Sequence, residues 1–458
     1  MKTINRRSFI KRYGTAAAAT VVVPTIIPAC ARGKNGHTAP SDRINMAFIG
    51  AGNQAGNDVK EFLKDKRVQV TVICDVNRKS SGYWDGKVAG REFIQELVNK
   101  TYSEQQGKTY KSTKGVVDFR EVLEDKGIDA VEVVTPDHWH AIPVIMAAAA
   151  GKDIYCQKPL SLTIPEGRAM SNAVKKYNVV FQTGSQRRSS DAFRKICELV
   201  RNQKIGQLHT VRVGLPKGTP DYGKTGHLTE TIPVPEDFDY DMWLGPAPDA
   251  PYCPARTHVN YRWVLDYSGG QLTDWGGHFI DMAQWGMGTD ASGPVRIQNS
   301  RAKWAAHPVW NTAVEYAFEA IYANGVKMIV SSDEPMGVKF EGTEGSIWQN
   351  GADPESLLET STGPGEIHLY NSKASHHQNF IDCVLSRERT AAPAEVGHRS
   401  ISIAHLGNIS MLLQQDLEWN PEKEEIIGNP QASAMLERPM RKPWDAVFRN
   451  LISGLQNA

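Results

Sequence analysis

Three side chains from two distant parts of the sequence could together move a proton. Lys158 follows the apolar run 153–156 and precedes Pro159. Asp274 and His278 are four residues apart, so a helix would carry both on one face. An imidazole titrates near neutral pH and can exchange a proton with a hydroxyl, while an amine can hydrogen-bond that hydroxyl and polarise it. These residue types fit the loss of the hydroxyl proton when a secondary alcohol is oxidised.

A glycine-rich turn earlier in the chain predicts a bound dinucleotide. The segment 50–56 reads Gly-Ala-Gly-Asn-Gln-Ala-Gly and directly follows the apolar run 44–49. Such a turn lets a pyrophosphate approach backbone N–H groups at the positive end of a helix. We predict that the cofactor contacts four residues of this turn, namely Gly50, Gly52, Asn53 and Gln54.

Asp75 indicates which dinucleotide this is. It ends the second apolar strand, about twenty residues after the turn, where a carboxylate can accept hydrogen bonds from both ribose hydroxyls. A carboxylate there repels a 2′-phosphate, so NAD is predicted in preference to NADP, although Arg78 and Lys79 are close in sequence. A nucleotide turn, a lysine at a strand end and an Asp/His pair together predict hydride transfer.

The elements that must position these residues fall into two groups, which predict an α/β protein. Residues 43–185 alternate β-branched runs with helical segments, as in a Rossmann domain with a doubly wound parallel sheet. Residues 186–458 contain a proline-rich segment, a helix that ends near Gly286, and an Ala-Asn-Gly hairpin signal at 323–325. We predict an α+β domain with a mostly antiparallel sheet, which serves substrate binding and oligomerisation.

Several motifs resemble the Gfo/Idh/MocA oxidoreductases, which are sugar and cyclitol dehydrogenases. They are Val134-Thr-Pro-Asp-His-Trp-His140, Gly151-Lys-Asp-Ile-Tyr-Cys-Gln-Lys-Pro159 and Asp274-x-x-x-His278. The resemblance covers the whole chain after residue 43. It implies that the cofactor also contacts Thr135, Pro136, His138, His140 and Lys158. Glutamate usually precedes the lysine in this family, so Gln157 is a departure that removes a carboxylate favouring the charged amine.

The resemblance also supports roles for the proton-transfer residues. His278 is the expected general base or acid, Lys158 polarises the reacting hydroxyl, and Asp274 binds a neighbouring hydroxyl and favours the imidazolium. The pattern leaves two other interpretations open. His278 could be a buried histidine of the core, and Asp274, His278 and Asp281 have a spacing that could hold a divalent metal. No metal is expected, because hydride transfer to a nicotinamide needs none.

Aromatic and basic side chains cluster in the second half and suggest a carbohydrate site. Sugar rings pack their apolar faces on aromatic rings, and guanidinium groups bind hydroxyls. We predict that the substrate contacts Tyr261, Arg262, Trp263 and Asp281. For any single aromatic residue, packing inside the domain is the alternative.

The first 31 residues resemble an export signal. The paired arginines in Asn5-Arg-Arg-Ser-Phe-Ile-Lys11 are typical of the twin-arginine route, and the apolar stretch that follows is too short to span a membrane. Residues 32–42 would form a linker. Ile27-Pro-Ala-Cys30 resembles a lipoprotein box, which makes Cys30 a candidate for a lipid anchor, whereas Ala29-Cys-Ala31 fits ordinary signal peptidase. We expect a periplasmic protein, anchored or free.

The charge and composition of the chain limit the classes of molecule that it is expected to bind. The chain has 52 basic and 51 acidic side chains and a net charge of +1. Without a basic stripe, nucleic acid is excluded as a partner, so a small carbohydrate is expected, and the resemblance implies a homo-oligomer. The leading hypothesis is an exported NAD-dependent oxidoreductase acting on a ring hydroxyl of a glycoside. The alternatives are a glycoside hydrolase that uses NAD for transient oxidation and elimination, and a catalytically silent sugar-binding protein.

Overall fold

A computed structural model of the chain describes residues 43–372 and 374–456. The predicted export signal, the linker and Cys30 lie outside the described residues. Within the described part, no helix combines the length and the apolar character needed to cross a membrane.

The first half is built on a six-stranded sheet in which all neighbouring strands are parallel. The strands are β1 (Ile44–Ile49), β2 (Val68–Cys74), β3 (Lys114–Val116), β4 (Ala130–Val133), β5 (Asp153–Cys156) and β6 (Phe181–Thr183), in the order β3-β2-β1-β4-β5-β6. The helices between them are α1 (Asn53–Phe62), α2 (Arg91–Gln106), α3 (Phe119–Glu124), α4 (Ala141–Ala149) and α5 (Ile164–Tyr177). This order confirms the predicted doubly wound Rossmann sheet. The strand order reverses between β1 and β4, where such sheets bind ligands.

The second half contains a nine-stranded sheet. Its strands are β7 (Leu208–Gly214), β8 (Arg296–Trp304), β9 (Ala313–Ile321), β10 (Lys327–Ser331), β11 (Gly337–Gly342), β12 (Ser346–Trp348), β13 (Gly351–Asp353), β14 (Leu417–Asn420) and β15 (Glu425–Ile427). Only β7 and β10 pair in parallel, and the other neighbours are antiparallel. The predicted mostly antiparallel sheet is therefore confirmed, including the hairpin of β9 and β10.

A buried helix, α8, lies at the centre of the second half. The helices described here are α6 (Asp191–Arg201), α7 (Tyr240–Leu244), α8 (Gln271–Met287), α9 (His376–Ser386), α10 (Ala394–Leu413), α11 (Pro430–Ala434) and α12 (Trp444–Gln456). Helix α8 packs on β7 and β11 and against α6 and α10. A Cβ atom on Gly286 would lie 2.4 Å from the ring of Phe340, so the end of α8 approaches the sheet closely because it carries a glycine.

Two segments of the second half have features that local sequence patterns do not reveal. Residues 186–203 do not form one continuous helix, because a 3-10 turn (Gln186–Ser189) comes first and Ser190 is extended before α6 begins. The proline-rich segment folds onto a cluster of aromatic side chains that includes Phe238, Trp243 and Tyr267. Its prolines limit regular structure, so burial of the rings stabilises it instead.

Asp281 has a structural contact in place of the predicted contact with substrate. Its carboxylate accepts hydrogen bonds from Arg188 at 2.7 Å and 2.9 Å and from Ser400 at 2.8 Å. Arg188 also donates to Asp290 at 2.7 Å. The side chains of Arg188 and Asp281 are 3% and 1% exposed, so neither can be solvated if the other is removed. The pair fixes the turn after β6 to the middle of α8.

We predict that Arg188→Gln destabilises the protein by about 3 to 5 kcal/mol, because it leaves a carboxylate buried without a counter-charge. Arg296 is a matched control, since it forms an exposed ion pair with Asp416, and Arg296→Gln should cost less than about 1 kcal/mol. Urea unfolding followed by circular dichroism measures both. Equal midpoints for the two variants would contradict the assigned role of Arg188.

Candidate active site

The glycine turn after β1 has the geometry needed for close approach of a phosphate group. Gly50 has a φ of +104°, and a Cβ atom there would lie 2.7 Å from the carbonyl carbon of Val134. Gly52 then caps the N-terminus of α1 without a side-chain hydrogen bond. A cleft of about 460 Å³ opens above this turn, and Gly50, Gly52, Asn53 and Gln54 line it. The first backbone N–H groups of α1 are thus available to an anion in the cleft.

Asp75 lies in the same cleft, directly after β2. One carboxylate oxygen accepts from the N–H of Ala51 at 2.5 Å, and the other accepts from the N–H of Asn77 at 2.7 Å. Each oxygen has a second lone pair that a ribose hydroxyl can use. Burial raises the pKa of Asp75 to about 6, although these N–H groups favour the ionised form. The turn at Gly50 and the carboxylate of Asp75 together fit the pyrophosphate and a ribose of NAD.

The pKa of Asp75 generates a prediction for cofactor binding. Ribose hydroxyls donate to the carboxylate and not to its protonated form, so NAD affinity should rise as the pH rises through about 6. Between pH 7 and pH 5, the dissociation constant should increase by about tenfold, and Asp75→Asn should bind more weakly and lose most of this dependence. Isothermal titration of the nucleotide-free protein measures both effects. The same pH dependence in Asp75→Asn would exclude Asp75 as its source.

The loop after β2 closes one side of the cleft and contacts the second half of the chain. Trp84 stacks on Tyr222 with ring centroids 4.0 Å apart, and Tyr83 stacks on His258 at 4.6 Å. The N–H of Trp84 also donates to the side chain of Asn53 at 2.5 Å. Tyr83, Trp84 and His258 all line the cleft. A cofactor bound there would be covered by a wall made from both halves.

Lys158 meets the second half at the carboxyl end of β5. Its Nζ forms an ion pair with Oδ1 of Asp274 and donates to the Asp274 carbonyl oxygen at 3.2 Å. The other carboxylate oxygen of Asp274 lies 3.5 Å from Nε of Arg262. Burial alone would raise the pKa of Asp274, but Lys158 and Arg262 hold it well below its usual value. Asp274 is therefore ionised, with one cation on each oxygen.

His278 lies one turn after Asp274 on α8, and its pKa is well below the usual value. Burial is the main cause, and the positive charges of Lys158 and Arg187 add to it. Asp274 raises the pKa of His278, as expected of a carboxylate that favours the imidazolium, but it does not outweigh the other causes. The ring is half-buried and contacts Trp275 at 5.9 Å between centroids. A neutral imidazole beside an amine can accept a proton from a hydroxyl.

The residues of the motif after β4 are divided between cleft and core. Thr135 and Pro136 line the cleft. His138 is buried, Nε2 lies 3.0 Å from the carbonyl oxygen of Trp243, and burial lowers its pKa to about 4. The ring nitrogens of His140 each lie 2.9 Å from a carbonyl oxygen, one of Thr135 and one of Pro159. Neither histidine is among the described residues that line the cleft, and His140 instead joins the loops that carry Thr135 and Lys158.

The residues predicted to contact the substrate also lie in two different places, some in the cleft and some in the core. Tyr261 and Arg262 line the cleft, and the hydroxyl of Tyr261 donates to Asp137 at 2.9 Å. Trp263 is fully buried and donates from its indole nitrogen to the carbonyl oxygen of Pro220 at 3.1 Å, so it is part of the core. Since Asp281 binds Arg188, it does not join Asp274 and His278. Among the described residues, no group of His, Cys, Asp and Glu side chains is arranged to hold a metal ion.

Gln157, the departure from the family motif, has a carboxylate neighbour of its own. Its side-chain amide donates to Asp58 at 2.6 Å, and its oxygen accepts from the N–H of Lys158 at 3.3 Å. Asp58 also contacts His377 at 2.9 Å. The sequence could not show this network, because its members are as far apart as residues 58 and 377. It fixes the backbone of Lys158, while Asp274 is the carboxylate at the amine.

The cleft and the groups beside it define a class of protein. A turn that admits a pyrophosphate and a carboxylate placed for a ribose are needed for a dinucleotide, and the adjacent amine and imidazole can move a proton; this combination is that of a nicotinamide-dependent oxidoreductase. Comparison with known families agrees. A model of the oxidoreductase family's NAD-binding Rossmann fold matches residues 44–185, and a model of its C-terminal alpha/beta domain matches residues 193–446. The chain belongs to the Gfo/Idh/MocA oxidoreductase family, and its first half is the NAD-binding domain.

The individual proteins and solved structures that resemble the chain share a low sequence identity with it. The chain is 26% identical over 333 residues to a myo-inositol 2-dehydrogenase of Thermotoga maritima, a match that covers 69% of this chain and 86% of that protein. It is 27% identical to an alpha-N-acetylgalactosaminidase of Shewanella oneidensis over 177 residues, or 36% of each chain. A scyllo-inositol dehydrogenase from Lactobacillus casei, solved with NAD(H) and scyllo-inositol, has a TM-score of 0.54, 17% identity and coverage of 82% and 99%. This structure supports the fold.

Proposed function

We propose that the protein is an exported, NAD-dependent oxidoreductase that transfers a hydride between a carbohydrate ring hydroxyl, in particular that of a glycoside, and the nicotinamide. The observation that carries the proposal is the ion pair of Lys158 with Asp274, one helical turn from His278, at the edge of the dinucleotide cleft. The inositol dehydrogenase among its relatives supports a sugar or polyol as the substrate.

The residues beside the cleft have different roles in the oxidation of an alcohol. NAD, when bound, accepts the hydride. Lys158 donates a hydrogen bond to the reacting hydroxyl and stabilises negative charge on its oxygen. His278 accepts the hydroxyl proton, which its low pKa permits because the ring is neutral before the reaction. Asp274 holds the amine in place, and Arg262 holds Asp274.

We predict that Lys158→Met lowers turnover by at least about 100-fold, since it removes the group that polarises the hydroxyl. NAD binding should change by less than about threefold, because the turn at Gly50 and Asp75 still hold the cofactor. Lys195→Met is the control, as Lys195 is exposed on α6. NADH formation and nucleotide titration measure the two quantities. Full turnover in Lys158→Met would refute this role.

A second candidate function is glycoside hydrolysis through transient oxidation. In that reaction oxidation of a ring hydroxyl acidifies the neighbouring C–H, and loss of that proton expels the aglycone. Water then adds to the resulting double bond, and the hydride returns to reduce the ketone. The N-acetylgalactosaminidase relative supports it, and so does the wall formed by Trp84 and Tyr222. Net oxidation requires NADH to leave after each cycle, whereas transient oxidation allows the nucleotide to remain behind a closed wall.

The two candidates are distinguished by following nucleotide and aglycone together. For the leading proposal, we expect aryl glycosides to give NADH and a keto-sugar in equal amounts, with no aglycone released. Release of aglycone without net NADH would favour hydrolysis instead. Denaturing the purified protein and identifying the released nucleotide is the companion measurement. Sugar binding by a protein that neither holds nor binds NAD would overturn both candidates in favour of a sugar-binding protein.

We also propose that the protein is carried by the twin-arginine route to the periplasm, where Cys30 is a candidate for lipidation, and that it forms a homo-oligomer. The paired arginines at positions 6 and 7 support export. This route carries folded proteins, which suits a chain that must load NAD in the cytoplasm.

A further inference from the structure

Arg187 is a cation near the proposed base, and it has no carboxylate partner within residues 43–372 and 374–456. It lies in the 3-10 turn after β6, and its guanidinium lies 4.3 Å above the ring of Phe279 and 5.2 Å from that of Phe193. Its Nε is buried and makes no hydrogen bond with any described residue. The adjacent residue, Arg188, by contrast, has its charge balanced by two carboxylates. Arg187 as a whole is half-buried, so its charge is partly withdrawn from water, and an anion beside it would offset that cost.

A short series of ring contacts connects Arg187 to His278. Phe279, beneath the guanidinium, stacks on Trp275 with centroids 6.0 Å apart, and Trp275 contacts the ring of His278. The charge of Arg187 also helps to lower the pKa of His278. Arg187 and His278 thus contact the same series of aromatic side chains on α8, and the guanidinium is close enough to act electrostatically on the proposed base.

The charges around this site do not balance. Lys158 and Arg262 share the single carboxylate of Asp274, and Arg187 adds a third positive charge. No other carboxylate of the described residues forms an ion pair with these three cations, and the buried Asp137 interacts with Arg262 only at longer range. Such a surplus attracts a negatively charged ligand and disfavours the binding of a cationic one.

We propose that Arg187 binds a carboxylate group of the substrate, so that the preferred substrate class is acidic carbohydrates, meaning uronic acids and their glycosides. A guanidinium presents two parallel N–H donors that match the two oxygens of a carboxylate. The anion would supply a counter-charge that the described part of the chain does not provide. This assignment rests on the proposed function and specifies its substrate.

Packing on Phe279 is the competing explanation for Arg187. A cation above an aromatic ring is attracted to it without any ligand. If that were the whole role of Arg187, its removal would lower the stability of the fold, or would weaken the binding of neutral and acidic sugars equally. The two explanations therefore differ in whether the loss of affinity is confined to acidic sugars, and not in how large that loss is.

Glucose and glucuronate test this directly, because they differ only at C6. We expect the NAD-loaded protein to bind glucuronate and methyl glucuronide at least about tenfold more tightly than their neutral counterparts in isothermal titration. In Arg187→Gln, the acidic ligands should lose about 10- to 100-fold in affinity, and the neutral ligands should change by less than about twofold. Arg187→Lys should recover part of the lost affinity for acidic ligands, since it keeps the positive charge but not the two parallel N–H donors of the guanidinium.

Arg201→Gln is the matched control. Arg201 is a half-buried arginine on α6 that donates to the carbonyl oxygen of Trp285, near the far end of α8. Its replacement should leave the preference for acidic ligands unchanged. Melting temperatures of all variants separate a loss of folding from a loss of binding.

Two results would overturn the assignment of Arg187. One is the finding that the wild-type protein binds no uronate more tightly than the matching neutral sugar, and this comparison does not depend on the folding of any variant. The other is the finding that Arg187→Gln lowers the affinity for acidic and neutral ligands equally. Turnover of neutral glycosides with NADH formation, without any preference for acids, would disprove the substrate class and leave the proposed oxidoreductase intact.

Discussion

The carboxylate of Asp274, held between Lys158 and Arg262, is the contact on which the site depends. Lys158 extends from the carboxyl end of a strand in the parallel sheet, whereas Asp274 belongs to α8, which packs on the second sheet. All three side chains are less than one-fifth exposed, so the ion pairs are poorly screened by solvent. One interaction therefore joins the two halves, fixes the amine beside the cleft, and places His278 one turn further along α8.

The same arrangement explains why a histidine near a carboxylate stays neutral. A lone carboxylate beside an imidazole would raise its pKa, but the charge of Asp274 is already balanced by two cations. Burial and the added charge of Arg187 then lower the pKa of His278. Burial, together with the local balance of charge, decides the protonation state more than the spacing of Asp274 and His278 does.

Local patterns in the sequence were sufficient for the fold but only for part of the site. The alternation of strands and helices predicted the parallel sheet, and the run of glycines from Gly50 to Gly56 predicted the turn after β1. Asp281 shows the limit of such reasoning: helical spacing put it near Asp274 and His278, but its partner Arg188 comes from a turn 93 residues earlier in the chain. That Arg187 has no carboxylate partner among the described residues is likewise visible only once the nearby carboxylates have been placed.

The charge surplus also constrains the reaction itself. A hydroxyl that gives up its proton becomes an alkoxide, and positive groups around it lower the cost of that charge. The same groups disfavour a further positive charge, so the imidazolium form of His278 beside Lys158 and Arg187 is high in energy. His278 must release this proton before the next cycle. His278 is only partly buried, which gives that proton a route to solvent, whereas the fully enclosed His138 has none. The electrostatics that keep His278 neutral before the reaction therefore also favour the loss of its proton to solvent afterwards, for which partial exposure provides the route.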